Sequence, residues 1–361
     1  MNHCPQGHLA PAAAAFCPDC GASMPPPPSG SDESGRPLFR RPVVLGGCII
    51  AGIVVIIVGA FVVVTQPDGS VPTLARGPIL VGTAPEGVVV SDDSVWVTNT
   101  GDGTVSRIDR DSNSVTDTIE FGNLSLVAAS GGDVWVGDGD DDTISRLDPV
   151  TNEATDTLEV PAGLRAVAVT DDDLWVASGA AADTGTVTRI DPATNQIVAT
   201  ISVDPIDPTL AVLLEQIAAT DNAVWVIDSN SGDSVTRIDP ATNEVATTIQ
   251  IGGFSDRATG VAAKEDAVWV TNDDNTVTRI DPATNQVIDT IRVGGDPSSI
   301  AVTTDAVWVT LEDQNAVIRI DPATNRVSET VPVGNSPAGV AASDDAVWVT
   351  NADDGTVTRI R

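Results

Sequence analysis

The chain has 361 residues, of which 42% are hydrophobic but only 3% aromatic, and its formal charge is −33. Residues 1–64 hold three acids (Asp19, Asp32, Glu33) and three bases (Arg36, Arg40, Arg41), so the whole of that charge falls on residues 65–361. A segment so acidic repels nucleic acid and anionic lipid headgroups, and it contains no cysteine, which excludes a disulfide framework.

Residues 1–24 carry Cys4, His8, Cys17 and Cys20 in the spacing C-x3-H-x8-C-x2-C, a donor set suited to a tetrahedral Zn²⁺. A segment this short has too little core to fold without metal, and four filled positions leave no place for a catalytic water, so the zinc is expected to be structural. Redox use of the Cys17/Cys20 pair is the competing reading, although no βαβ pattern surrounds it. The C-P-D-C-G string at 17–21 resembles the zinc-ribbon knuckles at the N-termini of many bacterial membrane proteins.

Residues 25–42 are rich in proline and serine and read as a semi-extended tether. Residues 43–64 follow without a charge, and at about 1.5 Å per residue a helix of these 22 residues crosses a hydrocarbon core of roughly 30 Å. Arg36, Arg40 and Arg41 crowd the N-terminal flank of this predicted transmembrane helix, so the positive-inside bias puts the N-terminus in the cytoplasm and everything after residue 64 outside the cell membrane. A cleaved signal peptide is the alternative, but the apolar run is longer than an h-region and no small-x-small site follows it. Residues 65–77 form a second linker.

From residue 78 onward the sequence repeats. Trp96, Trp135, Trp175, Trp225, Trp269, Trp308 and Trp348 all stand in a V/L-W-V frame, at spacings of 39, 40, 50, 44, 39 and 40. The copy from Ile300 shows four short β-branched runs parted by turn residues, with strands predicted over 300–302, 306–310, 316–320 and 326–333. The string D-P-A-T-N, at 191–195, 239–243, 281–285 and 321–325, supplies the turn between the third and fourth strands, where Asp caps, Pro presets φ and Asn tolerates the left-handed region. Seven units of four antiparallel strands predict an all-β, seven-bladed propeller over 78–361. Its last blade lacks a fourth strand in sequence, and residues 77–82, which align with 289–294, are expected to supply it.

The V-W-V-T-N, R-I-D-P-A-T-N and T-I-x-V-G strings resemble the YVTN family of β-propeller repeats over residues 78–361, with tryptophan in place of that family's usual tyrosine. Related propellers include the NHL and streptogramin-lyase-like types and the sensor domains of some membrane kinases. The resemblance implies a binding or sensing module at the cell surface. Histidine, on which lyase chemistry of the streptogramin type would be expected to rely, is absent after residue 8.

The repeated tryptophans read as packing between blades, and the arginines of the third strands (Arg107, Arg146, Arg189, Arg237, Arg279, Arg319, Arg359) as structural partners of nearby aspartates. Length variation between repeats falls in the loops joining second to third strands and one blade to the next, which share one face of an up-and-down meander. That face carries the candidate ligand-binding residues Asp138, Asp140, Asp141, Asp142, Asp183, Asp204, Asp207, Phe254, Arg257, Asp273, Asp274, Asp353 and Asp354, together with an apolar insertion at 205–214. An extracellular protein, a glycan or a cationic ligand is the expected partner. Asp138, Asp140, Asp141 and Asp142 have the hard oxygens Ca²⁺ takes, but turn chemistry alone accounts for them and the remaining positions of an EF-hand loop are missing. The rival to a binding module is a metal-assisted lyase or hydrolase with its site at the central channel; the sequence nominates no catalytic residue.

Overall fold

The computed structural model describes residues 2–3, 9–10, 54–58, 61–65 and 77–361, except 123, 131, 180–183, 208, 231–232 and 253–256. The chain divides into two units, residues 1–70 and residues 71–361.

In the first unit Asn2–His3 pairs antiparallel with Leu9–Ala10. The zinc donors Cys4, His8, Cys17 and Cys20 lie outside the described residues. Within 43–64, where the sequence predicts a helix, Val54–Val58 pairs antiparallel with Phe61–Thr65. Those strands are almost wholly β-branched, and β-branched side chains favour an extended backbone. Among the described residues no helix is long and apolar enough to cross a membrane.

The second unit is a ring of seven four-stranded antiparallel sheets. Naming the strands a to d from the centre outward, the fifth blade runs Ala258–Lys264, Ala267–Asn272, Thr276–Asp281 and Gln286–Arg292. The sixth runs Pro297–Val302, Val307–Leu311, Ala316–Asp321 and Arg326–Pro332. Its strand a begins three residues before the predicted 300, because a bulge between Pro297 and Ile300 lets proline start the strand without breaking the ladder. The seventh blade takes strands a to c from Pro337–Ala342, Val347–Asn351 and Thr356–Ile360. Its strand d is Ile79–Leu80, with Ile79 opposite Val357 and Leu80 opposite Thr356. Ile291 and Arg292 meet Val277 and Thr276 in the same register, as the alignment of 77–82 with 289–294 requires.

Position in the blade explains the repeat. Strand b is covered by neighbouring blades on both faces, so Ala267–Asn272 is buried throughout and its first four residues are apolar without alternation. Strand d lies at the rim and is mostly exposed. Each tryptophan reaches the next blade: Trp96 packs with Val134, Val136 and Leu147, and Trp348 with Val88, Val95 and Ile108. The a strands stand so close around the axis that a Cβ on Gly339 of blade seven would come within 2.2 Å of the Glu86 carbonyl of blade one. Only glycine fits there.

Candidate binding face

The a–b and c–d turns gather on one side of the ring, here the turn face. In each D-P-A-T-N turn the Asp carboxylate accepts from the backbone two residues on, as Asp281 does from Ala283 N–H at 2.8 Å, and the closing Asn sits left-handed, with Asn285 at φ 58. Asp281 and Asp321 are held below the usual carboxylate range chiefly by the N–H of Ala283 and of Ala323. In Asp191 the hydroxyl of Thr194 leads the same effect.

The strand-c arginines tie these turns together. Arg279 donates to the Pro322 carbonyl at 2.6 Å and to Asn325 Oδ1 at 2.7 Å in the next blade, while its guanidinium lies 4.8 Å from the Trp269 ring centre. Arg189 and Arg237 do the same to Pro240 and Asn243 and to Pro282 and Asn285. Arg359 closes the ring on the Arg110 carbonyl and Asn113. Pairing with an a–b aspartate, which the sequence suggested for all seven, occurs for Arg146 with Asp133 and Arg189 with Asp173, and more loosely for Arg107, Arg319 and Arg359. The inter-blade bond to Asn was missed, although the invariable four-residue spacing from Asp to Asn in the turns signals it.

The b–c and d–a loops form the opposite, loop face. Several candidate acids there turn out to hold the loops themselves. Asp138 Oδ1 accepts from the N–H groups of Asp140 and Asp141 at 2.9 and 3.1 Å. Asp142, itself left-handed at φ 52, accepts from Gly163 N–H at 2.8 Å and Leu164 N–H at 3.0 Å. Asp354 accepts both the backbone and the side-chain N–H of Asn335, at 2.7 and 2.8 Å, and the backbone bond leads in drawing its carboxyl below the ordinary range. Asp207 accepts from Thr209, whose hydroxyl leads in lowering it, and Asp274 accepts from the Thr276 hydroxyl at 2.5 Å. Asp102, not singled out by the sequence, is opposed by its burial but drawn down by bonds from Thr83 and Thr104.

Arg257 is paired with Glu215, and Asp273 is exposed. Asp183 and Phe254 lie outside the described residues. The carboxylates of Asp141, Asp204 and Asp353 are exposed and make no hydrogen bond or ion pair among the described residues. With Asp138 and Asp142 committed to backbone N–H groups, the 138–142 run does not converge as a calcium cage, and among the described residues no three His, Cys, Asp or Glu side chains gather as a metal cluster.

The insertion at 205–214 also differs from expectation. Val212 and Leu214 are buried in the core between blades three and four, packed so tightly on Gly185 that a Cβ there would lie 2.7 Å from each. Asp228 Oδ1 accepts from Leu213 N–H at 2.9 Å and Asn230 donates to the Ala211 carbonyl at 2.8 Å, which pins the segment down. Ile206 alone of its large aliphatics stays open, at 40% exposure.

Among the described residues, the concavities on this face include these two. One is the central channel, a cavity of about 480 Å³ lined by strand a of every blade, largely by small residues such as Gly87, Ala166, Gly260 and Ser299. The other, about 520 Å³, lies between blades six and seven and is walled by Asp296, Glu312, Asp313, Asp353 and Asp354 with Asn315, Asn335 and Ser336. Asp296, Glu312 and Asp313 were not singled out from the sequence, because each is one acid among many in variable loops; only the fold brings them beside Asp353.

These features define a β-propeller with a stiff, hydrogen-bonded turn face and a variable, acidic loop face. No family model matches the chain, and no curated protein matches it. Among solved structures it is similar to hydrazine synthase of Kuenenia stuttgartiensis, with a TM-score of 0.69 and 16% identity over 78% of this chain and 97% of that one. At that identity the likeness concerns the fold.

Proposed function

We propose that this chain is a membrane-anchored propeller of the YVTN type that binds a protein partner outside the cell through its loop face. The observation that carries the reading is the contrast between the two faces. Most turn-face arginines are engaged in a repeated inter-blade network, whereas Asp141, Asp204, Asp296 and Asp353 present exposed carboxylates on the other side. Rigid scaffolds carry recognition on such variable loops, and a cationic patch on the partner complements this charge.

The binding reading is preferred to catalysis because the carboxyls of Asp102, Asp207 and Asp354 on the loop face are drawn below the ordinary range, while a general acid at neutral pH needs a raised value. The charge-free run at 43–64 is the anchor. In hydrocarbon a two-stranded hairpin leaves both outer edges without hydrogen-bond partners, so in a bilayer this segment becomes a single helix. Cys4, His8, Cys17 and Cys20 hold a structural zinc on the cytoplasmic side; three thiolates and an imidazole are a fitting donor set for it.

The test replaces Asp141, Asp204, Asp296 and Asp353 together with Asn and measures recovery of bound protein from membranes. The reading expects recovery to fall and the remainder to be more easily displaced by salt. Undiminished recovery would remove the loop face from consideration.

A further inference from the structure

Strand d is the last strand of its sheet in every blade, so among the described residues no strand pairs with its outer side. An edge of this kind accepts a strand from another molecule unless charge or proline guards it. In blades one to six a bulge bends the start of strand d, and beyond it the ladder runs regularly from the residue opposite the strand-c arginine. That regular stretch reads D-T-I-E at 117–120 in blade one, D-T-L-E at 156–159 in blade two, D-T-I-R at 289–292 in blade five and E-T-V-P at 329–332 in blade six. Pro78 stands directly before the short strand of blade seven. Blades three and four break the pattern with A-T-I-S at 199–202 and T-T-I-Q at 247–250, which hold neither charge nor proline.

The acid missing there has a structural use elsewhere: Asp289 takes the side-chain N–H of Asn325 in the next blade at 2.8 Å. Ala199 and Thr247 have no carboxylate for such a bond, so a neutral residue is not the choice that holds the ring best. The two unguarded edges are neighbours and flank a groove of about 600 Å³, walled by Ile201, Val203, Ile206 and Val245. Ile206 is the open aliphatic of the insertion, which thus shapes the rim at this seam. Gln196–Val203, with eight residues, is the longest d strand of the ring, and its Ile197 and Val198 are 55% and 51% exposed.

We propose that a second copy of this chain covers this rim, its Gln196–Val203 pairing antiparallel with the same strand across a two-fold axis. Charge selects a copy as the occupant. At −33 two chains repel wherever their surfaces are acidic, and at the rims of blades one and two acid would meet acid, whereas the strand at 196–203 brings no charge to the contact. An antiparallel pair of identical strands is also complementary to itself by symmetry. With the axis between Ala199 and Thr200, each of these residues lies opposite the other in the partner copy. Eight residues at about 3.4 Å each give roughly 27 Å of shared edge, a small interface that suits a weak, reversible dimer. The contact lies on the rim and does not depend on what the loop face binds.

The test is the oligomeric state of the full chain in detergent micelles, read by sedimentation velocity. The native chain is expected to dimerise with a dissociation constant on the order of 10 μM in about 0.5 M NaCl, and several-fold more weakly in about 0.05 M, because salt screens the repulsion between copies. Ala199→Asp places at the edge the acid that Asp117 and Asp156 supply in the same register of blades one and two, and Thr200→Lys changes an exposed side chain. Each variant alone should raise the dissociation constant at least about fivefold, since it sets like charges side by side across the axis. Mixed in equal amounts, the two should regain the native dimer fraction, because Asp at 199 then faces Lys at 200; that recovery also shows that both variants fold. A native chain that stays monomeric at about 200 μM overturns the proposal. So does a dimer that neither variant weakens, as one made through the apolar run at 43–64 would be, or a mixture no more associated than its components.

Discussion

Ile79 and Leu80 are neighbours in a two-residue strand, yet the structure assigns them opposite weights. Ile79 is 8% exposed and packs with Val88, Val97, Trp348 and Val357 across the seam of blades seven and one, while Leu80 points outward at 76% exposure. Truncating Ile79 to Ala removes three methyl or methylene groups, about 2.4 kcal/mol at roughly 0.8 kcal/mol for each. A residual cavity adds to this, although a rim position collapses more readily than a central one, so the expected cost is about 2–3 kcal/mol. Leu80→Ala should cost under about 0.5 kcal/mol. Urea unfolding followed by tryptophan fluorescence reads both, as a lowered midpoint with unchanged slope for Ile79→Ala and an unchanged midpoint for Leu80→Ala. Equal effects of the two substitutions, or none from Ile79→Ala, would show that this strand does not close the ring.

The arginine network gives a second contrast: Arg279→Gln should lower the melting temperature by several degrees because it strands Asn325 and the Pro322 carbonyl, whereas Arg319→Gln should leave it within about 1 °C, and thermal scans of the two variants check this. For acid behaviour the sign follows from the depressed carboxyl of Asp281, led by the Ala283 N–H: its contribution is complete above the unfolded value near 3.9 and lost as pH falls through the lower folded value. Asp281→Ala should therefore destabilise at pH 7, and the gap from the native chain should narrow below about pH 4 in unfolding curves taken across that range. Metal analysis of protein purified without chelator should give one zinc per chain, lost on replacing Cys17 and Cys20 with Ser.

Much of the propeller was legible because its repeat is a packing repeat. The V-W-V frame marks the strand buried on both faces, D-P-A-T-N marks a turn whose conformation its Asp and Asn favour, and 77–82 carried enough of the strand-d pattern to place Ile79 opposite Val357. The loop face was harder to read, since an aspartate written in a variable loop looks the same whether it meets solvent or a backbone N–H. Asp142 and Asp354 prove to cap their own loops, and Val212 and Leu214 of the insertion are core residues that Gly185 makes room for. Conversely, the cleft of Asp296, Glu312 and Asp353 joins three separate loops, a proximity that no spacing in one repeat encodes. The run at 43–64 satisfies two patterns at once: its length suits a membrane helix and its β-branched residues suit paired strands, and the solvent decides between them.

The central claim, that partners meet the loop face, is tested most directly by site-specific photo-crosslinking in intact cells, with the reactive side chain placed at Asp204 or Asp353 on that face and at Thr194 or Thr242 in the turns of blades three and four. The account predicts a discrete crosslinked species from the first pair and none from the second; crosslinks from Thr194 and Thr242 with none from Asp204 and Asp353 would contradict it.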